Sequence, residues 1–134
     1  TAVQRMYDFG YNFGIAFQIA DDLLDYIGNE ATLGKPTGND IKEGKITLPL
    51  IYALHNCDES KRQDIIERIK QRPVRDDDVD TIVNFTKQMG GVEYSKKLAV
   101  QYAEQALQIL KQYPESDAQQ SLSQLIRFAI DRSN

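Results

Sequence analysis

Tryptophan is absent from this 134-residue chain, and cysteine and histidine occur once each, as Cys57 and His55. A single cysteine excludes an intrachain disulfide framework, and a reducing, cytoplasmic setting is the simplest expectation. Cys57 reads as a half-buried small apolar residue. A lone His55 supplies neither a metal cluster nor a catalytic triad. No apolar run approaches the ~20 residues needed to span a bilayer, and no basic-then-apolar signal segment opens the chain. No stretch alternates apolar and polar residues for long enough to predict a strand. Repeats, low-complexity tracts and the GxxxxGK[ST] phosphate loop are missing too. Positive charge is in deficit: 16 Lys and Arg against 20 Asp and Glu leave a net charge of −4. That balance argues against a nucleic-acid partner. If the ligand is itself an anion, a cation must mediate.

What remains is helical. Hydrophobic residues make up 41% of the chain and charged residues 27%, enough apolar surface for one core without staples and too much for disorder. Apolar positions recur at helical spacing over about Ala2 to Ile27, Thr47 to Asn56, Lys61 to Lys70, Asp76 to Met89 and Val92 to Tyr113. A last helix holds Leu122, Leu125, Ile126 and Ala129. Gly28 to Gly44 reads as a polar loop, and Pro73, Gly90-Gly91 and Pro114 punctuate the rest. Pro49 is tolerable in the first turn of its helix. The expected class is all-α. The helical pattern starts at Thr1 without an initiator methionine, which reads as a piece cut from a longer protein.

One helix carries the chemistry. In Phe13 to Ile27, FGIAFQIADDLLDYI, ten of fifteen residues are apolar, so the helix is expected to be buried on most sides. The exceptions are Gly14, Gln18, Asp21, Asp22 and Asp25, which fall within an arc of roughly 100° at 3.6 residues per turn. Three carboxylates on one narrow stripe repel one another: Asp21 and Asp25 are an i,i+4 pair, Asp22 and Asp25 an i,i+3 pair. Partial burial raises that cost. A hard divalent cation offsets it, and Mg²⁺ suits best because it takes one or two carboxylates and completes its shell with water and phosphate. A solvated acidic face or internal ion pairs to lysine are the alternatives, since DDxxD alone is a weak motif.

The following stretch, GNEATLGKPTGNDIKEGKITLP, supplies the complementary charge. Gly34, Gly38 and Gly44 permit tight turns, and Lys35 and Lys45 each follow a glycine. Lysine is a good point-charge partner for phosphate. Asp40 lies between the two lysines and could hold one of them by an ion pair. An ordinary surface loop with scattered charge stays open as the other reading.

FQIADDLLD followed by LGKPTGNDIKEGKITLPL resembles the second aspartate-rich region of the trans-prenyl diphosphate synthases. The likeness covers Gly14 to Leu50 densely, through Phe17-Gln18, Asp21-Asp22-x-x-Asp25, Gly34-Lys35, Asp40, Gly44-Lys45 and Thr47-x-Pro49. Taken together these elements are far more specific than DDxxD. The later helices are similar in pattern only. LIRFAIDR and EGK-x-TLPL look like the long-chain, octaprenyl type.

The resemblance implies an all-α bundle of the isoprenoid synthase type, of which residues 1–134 are the carboxyl-terminal part. It implies an enzyme, usually a homodimer, that couples isopentenyl diphosphate to an allylic diphosphate with Mg²⁺. In that frame Asp21 is the principal metal ligand of its half-site, with Asp22 and Asp25 assisting, partly through water. Lys35 contacts the allylic diphosphate, Lys45 lies near phosphate, and Asp40 sits at the rim. Asp21, Lys35 and Lys45 are thus the expected catalytic set, and Phe17 and Gln18 line the pocket beside the allyl group. The family's first aspartate-rich motif, with its following arginine pair, is missing from this chain, so inactivity in isolation is expected. A non-catalytic subunit of a heteromeric synthase and a related terpene cyclase are the competing readings. Asp76-Asp77-Asp78 with Asp80 is a decoy, expected to complement the dipole of a helix start.

Overall fold

The computed structural model describes residues 1–27 and 38–131. Among them are seven helices: α1 (Ala2–Ile27), α2 (Asn39–Lys42), α3 (Leu48–Asn56), α4 (Glu59–Lys70), α5 (Asp76–Gln88), α6 (Gly91–Leu110) and α7 (Asp117–Asp131). The described residues contain no strand, as the missing period-two pattern predicts. None of these helices is long and apolar enough to cross a membrane.

The chain divides into two compact units, Thr1–Asp21 with Lys96–Asn134, and Asp22–Ser95. In the first, Phe9 and Ala16 of α1 join Ala103, Ala106 and Leu110 of α6 and Ile126 of α7 in one buried cluster. Alanine at successive helical positions of α6 keeps that face thin, so bulkier residues from the neighbours fill it. The end of α6 leaves carbonyls without intrahelical partners. Gln119 of α7 ties down this end and the turn after it, donating from Nε2 to the carbonyls of Leu110 and Tyr113 at 2.9 Å each. Tyr113 in turn donates its hydroxyl to the carbonyl of Ala2 at 3.0 Å.

In the second unit, Leu23, Tyr26, Ile41, Leu50, Ile65, Val74 and Ile82 are each at most 1% exposed. Burying one aliphatic side chain contributes about 1.5–3 kcal/mol, so the six aliphatic members of this set stabilise the unit strongly. Asp58 caps α4 by accepting the amide of Lys61 at 2.8 Å, which starts that helix at Glu59, before the first apolar periodic residue. Pro49 lies in the first turn of α3, behind Thr47.

Three expectations are corrected. Where the sequence predicts a polar loop as far as Gly44, Asn39–Lys42 form a single helical turn. Four residues, three of them polar or charged, are too few to show a period. The helix expected to reach Tyr113 ends at Leu110, where the amide of Tyr113 bonds back to Leu110 at 3.1 Å in a tighter turn. Leu125, read with the apolar face of the last helix, is 45% exposed, while Ile126 and Ala129 are buried.

Candidate functional site

The last half of α1 is graded in exposure. Ala16, Ile19, Ala20, Leu23 and Leu24 are buried, which gives the helix its fixed side. Gly14, Phe17, Gln18 and Asp21 are exposed, Asp22 is half-buried and Asp25 is buried. The helix is buried on most sides, as expected, and the exception is apolar Phe17, 42% exposed, which stands on the open edge with Gln18 and Asp21. A Cβ added at Gly14 would meet nothing within 4 Å, so the edge is also free of bulk.

Asp25 lies midway between Asp21 and Asp22 around the helix axis but faces protein. Its Oδ1 accepts the amide of Asp40 at 3.1 Å, and its carbonyl accepts the amide of Gly38 at 2.8 Å. Gly38 adopts φ 85°, a left-handed conformation that only glycine takes without cost, and this starts α2. The amide of Lys45 then closes the turn on the carbonyl of Asp40 at 2.8 Å. Asp25, Asp40 and Lys45 are thus brought together by three backbone amides, one of them bonded to the Asp25 carboxylate. Lys35 lies outside the described residues.

The Lys45 ammonium is 3.1 Å from Glu43 and 3.9 Å from Asp40. Its hydrogen bond and ion pair with Glu43, reinforced by Asp40 and Asp25, raise its pKa. The ammonium stays charged at any neutral pH and is exposed, so it can exchange these carboxylates for an incoming anion. Glu43 is the partner that sequence reasoning missed. Its place two residues before Lys45, across Gly44, was the available signal.

Tyr26 was missed as well. It is 1% exposed, and burial pushes its phenol well above the ordinary tyrosine range, with the Asp25 charge adding to the rise. Thr47 and Thr86 pull the value back down. The hydroxyl nonetheless makes no hydrogen bond of normal geometry among the described residues.

No group of three or more His, Cys, Asp or Glu among the described residues is arranged to hold a metal ion. The donor set fits a smaller demand. Asp21 and Asp22, adjacent on α1 and not buried, match the one or two carboxylates that Mg²⁺ takes from a protein before water and phosphate complete its shell. A separate cavity of about 600 Å³ in the first unit is lined by Asp8, Asn12, Gln101, Glu104 and Gln105 among others, and holds none of the residues singled out above.

The fold is that of the isoprenyl synthases: the geranylgeranyl pyrophosphate synthetase of Pyrococcus horikoshii Ot3 superposes with a TM-score of 0.88 at 34% identity, over 97% of this chain and 39% of that one. Residues 1–86 match the Polyprenyl synthetase family, and the chain belongs to that family. It is 40% identical over 124 residues to an all-trans-nonaprenyl-diphosphate synthase (geranyl-diphosphate specific) of Rhodobacter capsulatus, covering 92% of this chain and 38% of the relative. It is 34% identical over 130 residues to the octaprenyl diphosphate synthase of Haemophilus influenzae, covering 97% and 39%. The chain thus spans about two fifths of the length of these relatives.

Proposed function

We propose that this chain is the carboxyl-terminal part of a prenyltransferase that condenses isopentenyl diphosphate with an allylic diphosphate, and that it contributes the second aspartate-rich Mg²⁺–diphosphate half-site. The observation that carries the reading is the open edge of α1. Apolar Phe17, neutral Gln18 and anionic Asp21 stand exposed on it in that order, the sequence of surfaces needed by a molecule with a hydrocarbon tail and a metal-bound diphosphate head.

Asp21 and Asp22 would hold Mg²⁺, and the ion would screen the diphosphate and offset the negative charge that builds on it as it leaves. Lys45 supplies a fixed positive charge for phosphate oxygens, and Lys35 a second one. The allylic C–O bond breaks with its electron pair going to the diphosphate. A donor already in place at the developing charge lowers that barrier most. Phe17 beside the allyl group excludes water that would quench the cation, and Gln18 orients the head group. Asp40 at the rim tempers the charge of Lys45 until substrate arrives. The intact enzyme acts as a homodimer, and this chain alone is inactive because one carboxylate cluster holds only one side of the diphosphate.

The test is a titration with Mg²⁺ and an unreactive allylic diphosphate analogue, on the parent chain and on Asp21→Ala. The expected result is saturable, magnesium-dependent binding that the substitution abolishes. A well-folded parent chain that binds nothing would overturn the reading of these residues as a working half-site.

A further inference from the structure

We propose that Asp25 is a positioning residue, whose carboxylate and carbonyl fix the start of the turn carrying Asp40 and Lys45 while the α4–α5 junction clamps the turn's far side. The inference deepens the function proposed above and rests on it for the ligand. Along α1, Asp21 is exposed and Asp22 half-buried, whereas Asp25 is 1% exposed. A carboxylate so placed addresses the protein's own backbone. It takes the Asp40 amide at 3.1 Å on Oδ1, and its carbonyl takes the Gly38 amide at 2.8 Å.

The first amides of a helical turn lack internal partners, and Gly38, at the cap position of α2, has no side chain to offer one. Asp25 supplies the acceptor from fifteen residues upstream. Ile41, 1% exposed, plugs the same turn into the core.

The opposite side is held from the α4–α5 junction. The amide of Val74 donates to the carbonyl of Lys42 at 3.2 Å, and Lys42 pairs with Asp76 at 3.1 Å. The Arg72 guanidinium, itself bonded to the carbonyl of Ile69, lies over Gly44. A Cβ at Gly44 would fall 2.7 Å from both of its terminal nitrogens, and Gly44 is at φ 80°. Asp40 and Lys45 are therefore carried on a turn clamped on two sides. A preset turn spares a ligand the ordering cost that a free loop imposes on binding.

The experiment compares Asp25→Ala, Asp25→Asn and Asp21→Ala by amide hydrogen exchange without metal, and by binding of Mg²⁺ with inorganic pyrophosphate. Asp25→Ala should speed exchange at the Asp40 amide by about tenfold or more and weaken pyrophosphate binding. Asp25→Asn keeps an acceptor oxygen and should restore both, whereas Asp21→Ala should lose binding with exchange unchanged. Unaltered exchange at Asp40 in Asp25→Ala overturns the proposal. So does loss of binding in Asp25→Asn as complete as in Asp21→Ala, which would make Asp25 a ligand. If Asp25→Ala does not fold, Arg72→Ala makes the same test from the far side, with faster exchange expected at Gly44 and Lys45 and no change overturning the clamp. Failure of the parent chain to bind pyrophosphate would count against the proposed function alone, since the exchange comparison needs no ligand.

Discussion

Arg68 of α4 donates to Oδ1 of Asp78 on α5 across 2.6 Å, and Asp78 is only 9% exposed. This bond, with the charge of Asp64 behind it, raises the pKa of Arg68. The acidic triplet that opens α5 is thus not one electrostatic feature. Asp76 pairs with Lys42 at 3.1 Å, and Asp78 ties two helices together. Replacing Asp78 by Ala leaves a part-buried guanidinium without its shortest acceptor and should cost about 1–2 kcal/mol. Asp77→Ala, on an exposed side chain at the same helix start, should stay within about 0.5 kcal/mol. Urea unfolding of the two variants checks the difference, and equal losses would return the triplet to a simple dipole role.

Tyr52 of α3 and Tyr94 of α6 stack with ring centroids 4.2 Å apart and planes at 14°. Aromatic pairs contribute about 0.5–1.5 kcal/mol beyond the area they bury. A double-mutant cycle with Tyr52→Ala and Tyr94→Ala should return a coupling energy in that range. Additive losses would mean the rings merely share a surface.

How much of this was legible in the sequence depends on what each feature needs. α1 was readable because its apolar positions persist for about seven turns from Ala2 to Ile27. The chemistry-bearing types on it were readable for the same reason, since a helix converts spacing into a face. The depth of each carboxylate was not. Asp21, Asp22 and Asp25 share one stripe in projection, but what separates Asp25 from the others is a turn fifteen residues later that covers it. Nor was α2 readable, because the groups that bond to its two ends, Asp25 and Val74, are distant from it in sequence. Tyr26 escaped notice because an apolar helix position says nothing about where a hydroxyl at its tip will end.

The exposed edge of α1 is apolar over much of its length: Val3 is 81% exposed, Tyr7 68%, Tyr11 57% and Met6 43%. With Phe17 these side chains follow one face at helical spacing. A contiguous apolar strip of this kind promotes association. The chain should therefore bind a hydrophobic dye or sediment above monomer mass, and Tyr7→Lys with Tyr11→Lys should reduce both signals. A monodisperse parent chain that binds no dye would contradict this.

The buried hydroxyl of Tyr26 makes a prediction about pH. Its folded pKa lies above the ordinary tyrosine value because burial disfavours the phenolate. Above about pH 10 the unfolded chain has released that proton while the folded chain still holds it. Fewer protons on the unfolded state mean that stability falls as pH rises. The contribution is intact below pH 10 and is lost at up to about 1.4 kcal/mol per pH unit above it, until the folded group also titrates. Tyr26→Phe removes the group and should flatten the alkaline limb of the stability profile relative to the parent. It should also remove one alkaline-shifted phenol from the absorbance titration. Near pH 7 the substitution should be neutral or stabilising by up to about 1 kcal/mol, because a buried hydroxyl without a partner costs free energy that a phenyl ring does not. A loss of more than about 1 kcal/mol at pH 7 would show instead that the hydroxyl is satisfied, through a bound water bridging it to Thr47 or Thr86.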